Sequence, residues 1–319
     1  MTQRSSPSRL PEAFVDPASG QRISLLDWKA ANVRYSVLLA LFMFALFAGI
    51  AYLLALAIDP GAAVLFIGVA LLIAGAQNLI AYWYSDKLAL RATGAREATR
   101  EEHRYLVNVT EAVSIGAGVP PPKIYVIDSP APNAFATGRN PEHGAVAVTT
   151  GLMKLLDRQE LEGVIAHEMA HIRNYDILFL SMLAATLGAI LILRDVFMRS
   201  MVYGRGRRGG GGRGGGQAIV LLLLVVVLVL APLLATLLKL AVSRRREYLA
   251  DATAAYITRN PEGLARALEK LRSYKGEPLN VSEGVRHLFF INPLARFNAR
   301  ALFATHPPIE ERIARLRRM

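Results

Sequence analysis

The sequence predicts a mostly α-helical membrane protein with a small β-sheet, in which four apolar segments form two hairpins and the second hairpin splits a polar domain in two. Three observations lead there. Over half of the 319 residues are apolar (53%), and the mean hydropathy is positive. Two apolar stretches near the start are each as long as the roughly 20 helical residues that cross hydrocarbon. Short β-branched runs occur within a polar stretch, residues 86–176, that has the composition of a soluble domain.

Residues 1–34 read as a polar arm without the short apolar core and small-residue cleavage site of a signal peptide, so the first span is expected to serve as its own signal anchor. Tyr35 to Ile58 carries no charge, and Ala62 to Tyr84 has only Gln77 and Asn78 as strongly polar residues. The turn Asp59-Pro60-Gly61 joins them into a hairpin over 35–85, with Trp28 and Tyr35 at one end and Tyr82, Trp83 and Tyr84 at the other, as an aromatic belt requires.

Between 86 and 176 an amphipathic helix is expected over Glu97 to Ile115, with Leu106, Val109 and Val113 on its apolar face and Gly116 and Pro120 to Pro122 beyond it. Lys123 to Ile127 and Ala145 to Thr149 read as two strands around a loop rich in Pro, Asn and Gly. Asp157 with Glu160 forms a capping box that opens a helix running through Leu161, Val164 and Ile165 into His167. The second apolar hairpin, 177–242, comprises Ile177 to Leu193, which is short for a span, and Ala218 to Val242, interrupted by Pro232 and Lys239. Between them lies a Gly/Arg run, 204–216, that cannot pack a core. Residues 243–319 return to soluble, mostly helical character and complete the split domain.

Composition narrows the chemistry. With no cysteine, thiol nucleophiles, disulfides and thiolate metal sites are excluded, so any metal must be held by His and carboxylates. No GxxxxGK[ST] run exists to cradle a nucleotide phosphate. The net charge of +12 suits nucleic acid in principle. Much of the excess, however, is arginine beside apolar spans or in 204–216, where Tyr203 is the one neighbouring aromatic. Lipid headgroups and membrane orientation account for it, the Gly/Arg run reads as a flexible linker, and no nucleic-acid partner is expected.

The chemistry concentrates in HEMAH, His167 to His171. Two histidines four apart on a helix share one face and can share a tetrahedral zinc, while Glu168 lies beside the metal as a general base. The competing reading is a pair of histidines merely buried or solvated. A catalytic zinc takes a third protein ligand, and a histidine six residues after His171 is ruled out because Ile177 stands there. SRRREYLAD, Ser243 to Asp251, offers Glu247 as that ligand, and Asp251 one turn later would accept a hydrogen bond from a ligand histidine. Taken alone the pair also fits an ordinary amphipathic helix with solvated acids. Arg244, Arg245 and Arg246 read as an interfacial anchor.

HEMAH preceded by ELEGVIA, NAFATGR at Asn133 to Arg139, VTTGLM at Val148 to Met153, SRRREYLAD, and THPPIEERI at Thr305 to Ile313 together resemble the HtpX-like family of integral-membrane zinc metallopeptidases. The resemblance extends from the first span to the C-terminus. It implies a zinc-dependent endopeptidase with one zinc per chain, an HExxH domain facing the cytoplasm, a bacterial or archaeal inner-membrane location, and misfolded or damaged membrane proteins as substrates in quality control and stress response. By position, His167, His171 and Glu247 resemble its zinc ligands, Glu168 its base and Asp251 the carboxylate behind a ligand. His306 and Arg312 resemble residues that face the substrate carbonyl, and Asn133 an active-site asparagine. The strand of Ala145, Val146, Ala147, Val148 and Thr149 resembles the edge that pairs with substrate backbone. Without the resemblance, Asn133 reads as a turn residue and His306 as a helix cap.

His103, His143 and His287 fit no ligand spacing and read as surface or packing residues. The polar arm and the Gly/Arg run are not expected as fixed parts of such a family. Lys29, Arg34, Lys87 and Arg91 place both ends of the first hairpin in the cytoplasm. Full crossing of the second hairpin would then put Arg194, Arg199, Arg205, Arg207, Arg208 and Arg213 outside against the single acid Asp195, so either the first hairpin dictates orientation or the short third segment does not span. Full crossing is the expectation. A catalytically silent zinc scaffold is the alternative function, and Glu168 argues against it, since a structural site needs no base.

Overall fold

The computed structural model describes residues 13–15, 22–188, 190, 244–276, 279, 288–290 and 307–319. The Gly/Arg run, the fourth apolar segment, His287 and His306 lie outside these residues.

A short antiparallel ribbon, β1 (Ala13–Val15) with β2 (Arg22–Ser24), leads into helix α1 (Leu25–Ile58). The arm expected to end at residue 34 therefore ends earlier: the Ser24 side chain accepts the Asp27 amide and starts the helix. Trp28, Asn32, Ser36, Leu39 and Met43 recur at helical spacing and form one inward face, buried from Asn32 onward. Asp59 ends α1 and accepts the Gly61 amide, turning the chain into α2 (Ala63–Ala92). Asn78 Nδ2 donates to the Ala40 carbonyl across the hairpin. Only 22% and 11% of the most apolar windows of these helices are buried within the protein. Core helices would be covered, so it is the lipid-facing reading that suits these surfaces.

Strand β3 (Arg96–Glu97) replaces the expected start of the amphipathic helix, because Glu97 pairs with Tyr125; helix α3 begins later and runs Arg104–Ala117. Next come β4 (Lys123–Ile127), β5 (Ala134–Gly138) and β6 (Gly144–Thr149). The mixed sheet has the order β3-β4-β6-β5, with β4 and β6 parallel and the other pairs antiparallel. Two expectations change here. The expected loop contains β5, whose AFATG sequence has little strand propensity and is held by its ladder to β6. And β6, Ala145 to Thr149, is not an edge: Val146 lies between Ile124 and Ala136, so both sides of the strand are used, and the edge strand beside it is β5.

Alternation along the strands divides two cores. Ile124, Val126, Ala134, Ala136, Val146 and Val148 face the soluble helices. Ile127, Phe135, Ala145 and Ala147 face the membrane-proximal layer, which includes Leu39, Leu90 and the apolar side chains of α6 (Asp176–Gly188). Helix α6 covers the start of the third apolar segment and, unlike α1 and α2, is almost wholly buried. Helix α4 (Thr150–Leu155) and α5 (Arg158–Arg173) follow the sheet. The capping box expected at α5 is present: the Glu160 amide donates to Asp157 Oδ1 at 3.0 Å and the Asp157 amide to Glu160 Oε2 at 2.8 Å. After the undescribed stretch come α7 (Arg244–Thr258), α8 (Pro261–Ser273) and α9 (Ile309–Leu316), each packed against the helices that precede it.

Gly163 lets α5 meet α8 at backbone contact. A Cβ there would stand 2.8 Å from the Leu264 nitrogen and 2.9 Å from its Cα. Alanine is the better helix former, yet Gly163→Ala is expected to cost about 1–3 kcal/mol by forcing the helices apart. A clear fall in melting temperature in detergent would confirm this contact, and an unchanged or raised one would refute it.

Candidate metal centre

The axis of the site is α5. Its capping box fixes the start, and 3.6 residues per turn bring His167 and His171 onto one face, both buried. Helix α7 crosses beside it and turns Glu247 and Asp251, also one turn apart, toward that face. The Nε2 atoms of the two histidines stand 3.1 Å apart, Glu247 Oε2 lies 3.6 Å from His167 Nε2, and Oε1 lies 3.8 Å from His171 Nε2. Donors about 2.0–2.2 Å from one tetrahedral zinc are separated by roughly 3.3–3.6 Å. The three side chains bracket that spacing.

The other ring nitrogens explain why both Nε2 atoms point inward. His167 Nδ1 donates to Asp251 Oδ1 at 2.9 Å, and His171 Nδ1 donates to Asp176 Oδ2 at 2.9 Å. With each Nδ1 holding its proton for a carboxylate, each Nε2 carries a lone pair toward the same point. Two lone pairs at that separation need a cation or a proton between them.

Charge balance makes the same demand. Around the histidines four buried carboxylates, Glu168, Asp176, Glu247 and Asp251, face two buried guanidiniums, Arg246 and Arg312. The excess of two negative charges matches a divalent cation. Proton affinities respond to this surplus. Burial pushes the Glu168 carboxyl up to about 7, with Glu247 adding to the rise and His171 and the Ala136 amide opposing it. Burial disfavours charge on His171, but Asp176, Glu247 and Glu168 outweigh it and raise the imidazole to about 9. At His167 burial prevails over Asp251 and brings it down to about 4. A divalent cation on the three ligands would displace the proton that His171 otherwise carries.

Glu168 belongs to the other wall. The Ala136 amide of β5 favours its ionised form and so opposes the rise that burial causes. Asn133 pairs with Thr149 through the carbonyl, so Ala134 and Ala136 alternate to the outer side of β5, toward α5. The Ala134 carbonyl accepts the Phe290 amide at 2.8 Å, and the Phe290 ring stands edge-on to His167. The outer side of β5 and the His167–His171–Glu247 cluster thus lie side by side.

Over residues 100–319 the sequence matches the family described as Peptidase family M48. The chain belongs to peptidase family M48. A protein named Protease HtpX homolog from Caldanaerobacter subterraneus subsp. tengcongensis is 45% identical over 297 residues, covering 92% of this chain and 97% of that one. Another of that name, from Dictyoglomus thermophilum, is 50% identical over 242 residues, 76% of this chain and 78% of its own length. Among solved structures, S. mikatae Ste24p aligns over 91% of this chain and 67% of that chain with a TM-score of 0.47 at 21% identity. As an M48 member of HtpX type with two long lipid-suited helices, the chain is a membrane metalloprotease that acts on polypeptides.

The geometry of this M48 site places most of the expected residues. His167, His171, Glu247 and Asp251 converge, Glu168 flanks them, and Asn133 is buried at the start of β5, where its Oδ1 accepts the Ala134 amide. His103 and His143 lie elsewhere, beside Arg96 and Asn140 respectively. One residue escapes the sequence reading and one expectation changes. Asp176 stands five residues after His171, a spacing that carries no ligand signal. Arg312 does not present itself to a substrate carbonyl: it is 1% exposed, and its Nε and Nη2 grip Asp251 at 2.8 and 2.7 Å. Such a two-pronged grip holds the carboxylate that holds His167.

Removing a buried partner strands the other charge at a cost of about 3–5 kcal/mol. Arg312→Ala is therefore expected to lower the melting temperature and weaken metal retention together. An oxyanion donor would behave otherwise, leaving fold and metal intact while turnover fell about 100- to 1000-fold. Melting and metal content of the one variant separate the two roles.

Proposed function

We propose that this M48 chain is a zinc-dependent endopeptidase of the HExxH plus distal glutamate type, holding one zinc on His167, His171 and Glu247 and using Glu168 as general base. The observation that carries this is the convergence of those three donors with Glu168 next to them but outside the set. Bound there, zinc would lower the pKa of a water to about 7 and polarise a peptide carbonyl. Glu168, beside the donors but not among them, takes the proton of the attacking water and later passes it to the leaving amine. Asp251 and Asp176 keep the imidazoles in the tautomer that ligation needs. His306 remains a candidate donor to the carbonyl oxygen, and Asn133, at the head of β5, a contact for substrate backbone.

Substrate pairing is assigned to the outer edge of β5 rather than to β6. The Phe290 amide on the Ala134 carbonyl supports this, since it is the bond a substrate strand would make. Backbone pairing favours extended, unfolded segments over one sequence, which suits a role in quality control and stress response toward misfolded or damaged membrane proteins. Trp28 and Asn32 near the start of α1 touch the catalytic domain, and Leu90 at the end of α2 packs with Ile127 and Phe135. The catalytic domain thus shares a side with Lys29, Arg34, Lys87 and Arg91, which supports a cytoplasmic site on a bacterial or archaeal inner membrane.

Glu168→Gln is expected to keep about one zinc per chain and to lose nearly all cleavage of an unfolded membrane protein, because an amide cannot take the proton. Wild-type turnover in that variant would overturn the mechanism. Glu247→Ala is expected to lose most of the zinc, and full zinc retention there would remove Glu247 from the ligand set.

A further inference from the structure

The helix that enters the membrane first also reaches the metal centre. Asp176 is 1% exposed, and its Oδ2 accepts from His171 Nδ1. Its Oδ1 accepts three bonds: from Trp28 Nε1 at 3.0 Å, Asn32 Nδ2 at 2.6 Å and Arg246 Nε at 3.0 Å. Asn32 and Trp28 are one turn apart on the inward face of α1. Asn32 Nδ2 also donates to the Asn174 carbonyl at 3.0 Å, and its Oδ1 accepts from Arg246 Nη2 at 3.4 Å. One buried amide from α1 thus touches the carboxylate behind His171, the turn that delivers that carboxylate, and the residue preceding Glu247.

We propose that Trp28 and Asn32 are positioning residues of the metal centre, so that the start of the first membrane helix is a structural part of the zinc site. This rests on the zinc reading above. The physical case is orientational. A carboxylate bound at one oxygen alone can swing about its Cβ–Cγ bond, and the imidazole bonded to it swings as well. Three donors on Oδ1 leave Oδ2 aimed at His171 Nδ1. Arg246 supplies the opposing charge, but it comes from α7, 70 residues farther along the sequence. Trp28 and Asn32 supply neutral donors from a different element, so the carboxylate is fixed from two directions. Docking of α1 against the domain and ordering of His171 become one event.

The test uses the full chain in detergent or lipid nanodiscs. Zinc affinity is read by competition with a chromogenic chelator, and geometry by the visible spectrum of the cobalt(II)-substituted protein. Changes behind a metal ligand typically weaken affinity about 10- to 100-fold. Asn32→Ala is expected to fall in that range. Trp28→Phe, which keeps a ring but deletes the donor, is expected to fall less, and Asn32→Asp, which sets a second carboxylate against Asp176, more than Asn32→Ala. All three are expected to shift the cobalt spectrum. Met43→Ala, an equally buried α1 residue farther along the helix, serves as control: it should lower the melting temperature and leave zinc affinity and spectrum as in wild type. If Asn32→Ala does not fold, Trp28→Phe carries the comparison. Wild-type zinc affinity and spectrum in the Asn32 and Trp28 variants would overturn the proposal while leaving the ligand set standing. So would an equal loss in Met43→Ala, since that would make the effect one of general packing. Failure of the wild-type chain to bind zinc would overturn both.

Discussion

Two imidazoles must present their Nε2 lone pairs to a single point, and the structure is arranged around that requirement. A neutral histidine ring carries one proton, and a hydrogen bond decides which nitrogen keeps it. Here a carboxylate settles the matter on each ring, Asp251 for His167 and Asp176 for His171. The carboxylates come from opposite ends of the site, one from α7 and one from the turn after α5. Every element that touches them therefore bears on where the two Nε2 atoms point.

Those carboxylates are buried, and buried charge is costly unless paired. Arg312 from the C-terminal helix closes on Asp251, and Arg246 closes on Asp176. The second pair is completed by α1, a helix only 22% of whose most apolar window is buried within the protein. Sequence-distant segments are thereby tied together by polar contacts that would be unfavourable if any one were missing. The sheet contributes the opposite wall, where the outer side of β5 brings its Ala136 amide near Glu168 and its Ala134 carbonyl accepts the Phe290 amide. The proposed hydrolysis of peptides would draw on Glu168, the His167–His171–Glu247 donors and this strand, which lie side by side.

What the sequence made legible was local in character. HEMAH, the capping box of Asp157 and Glu160, and the pairing of Glu247 with Asp251 depend on helical spacing, and helical spacing is visible in a string of letters. The first hairpin was legible because length and apolarity suffice to mark it. What escaped was decided by tertiary contact. Asp176 lies beyond the end of α5, and only the turn through Tyr175, which adopts φ 59°, returns its carboxylate to His171. Strand β5 has a weak strand sequence and is held by its neighbour, so the sequence alone points to β6 as the edge. Arg312 sits in a motif suggestive of substrate contact, yet its burial against Asp251 is a matter of how α9 packs on α7. Asn32, an ordinary polar residue before an apolar span, gave no signal in the sequence.

In the proposed site two histidines and one carboxylate, with no other protein side chain, hold a single zinc. X-ray absorption at the zinc edge of the purified chain reads that ligand set. About one zinc per chain is expected, with four nitrogen or oxygen neighbours at about 2.0–2.1 Å and outer-shell scattering that corresponds to two imidazoles. A shell with three or more imidazoles, or protein purified with intact fold that takes up no zinc, would contradict it.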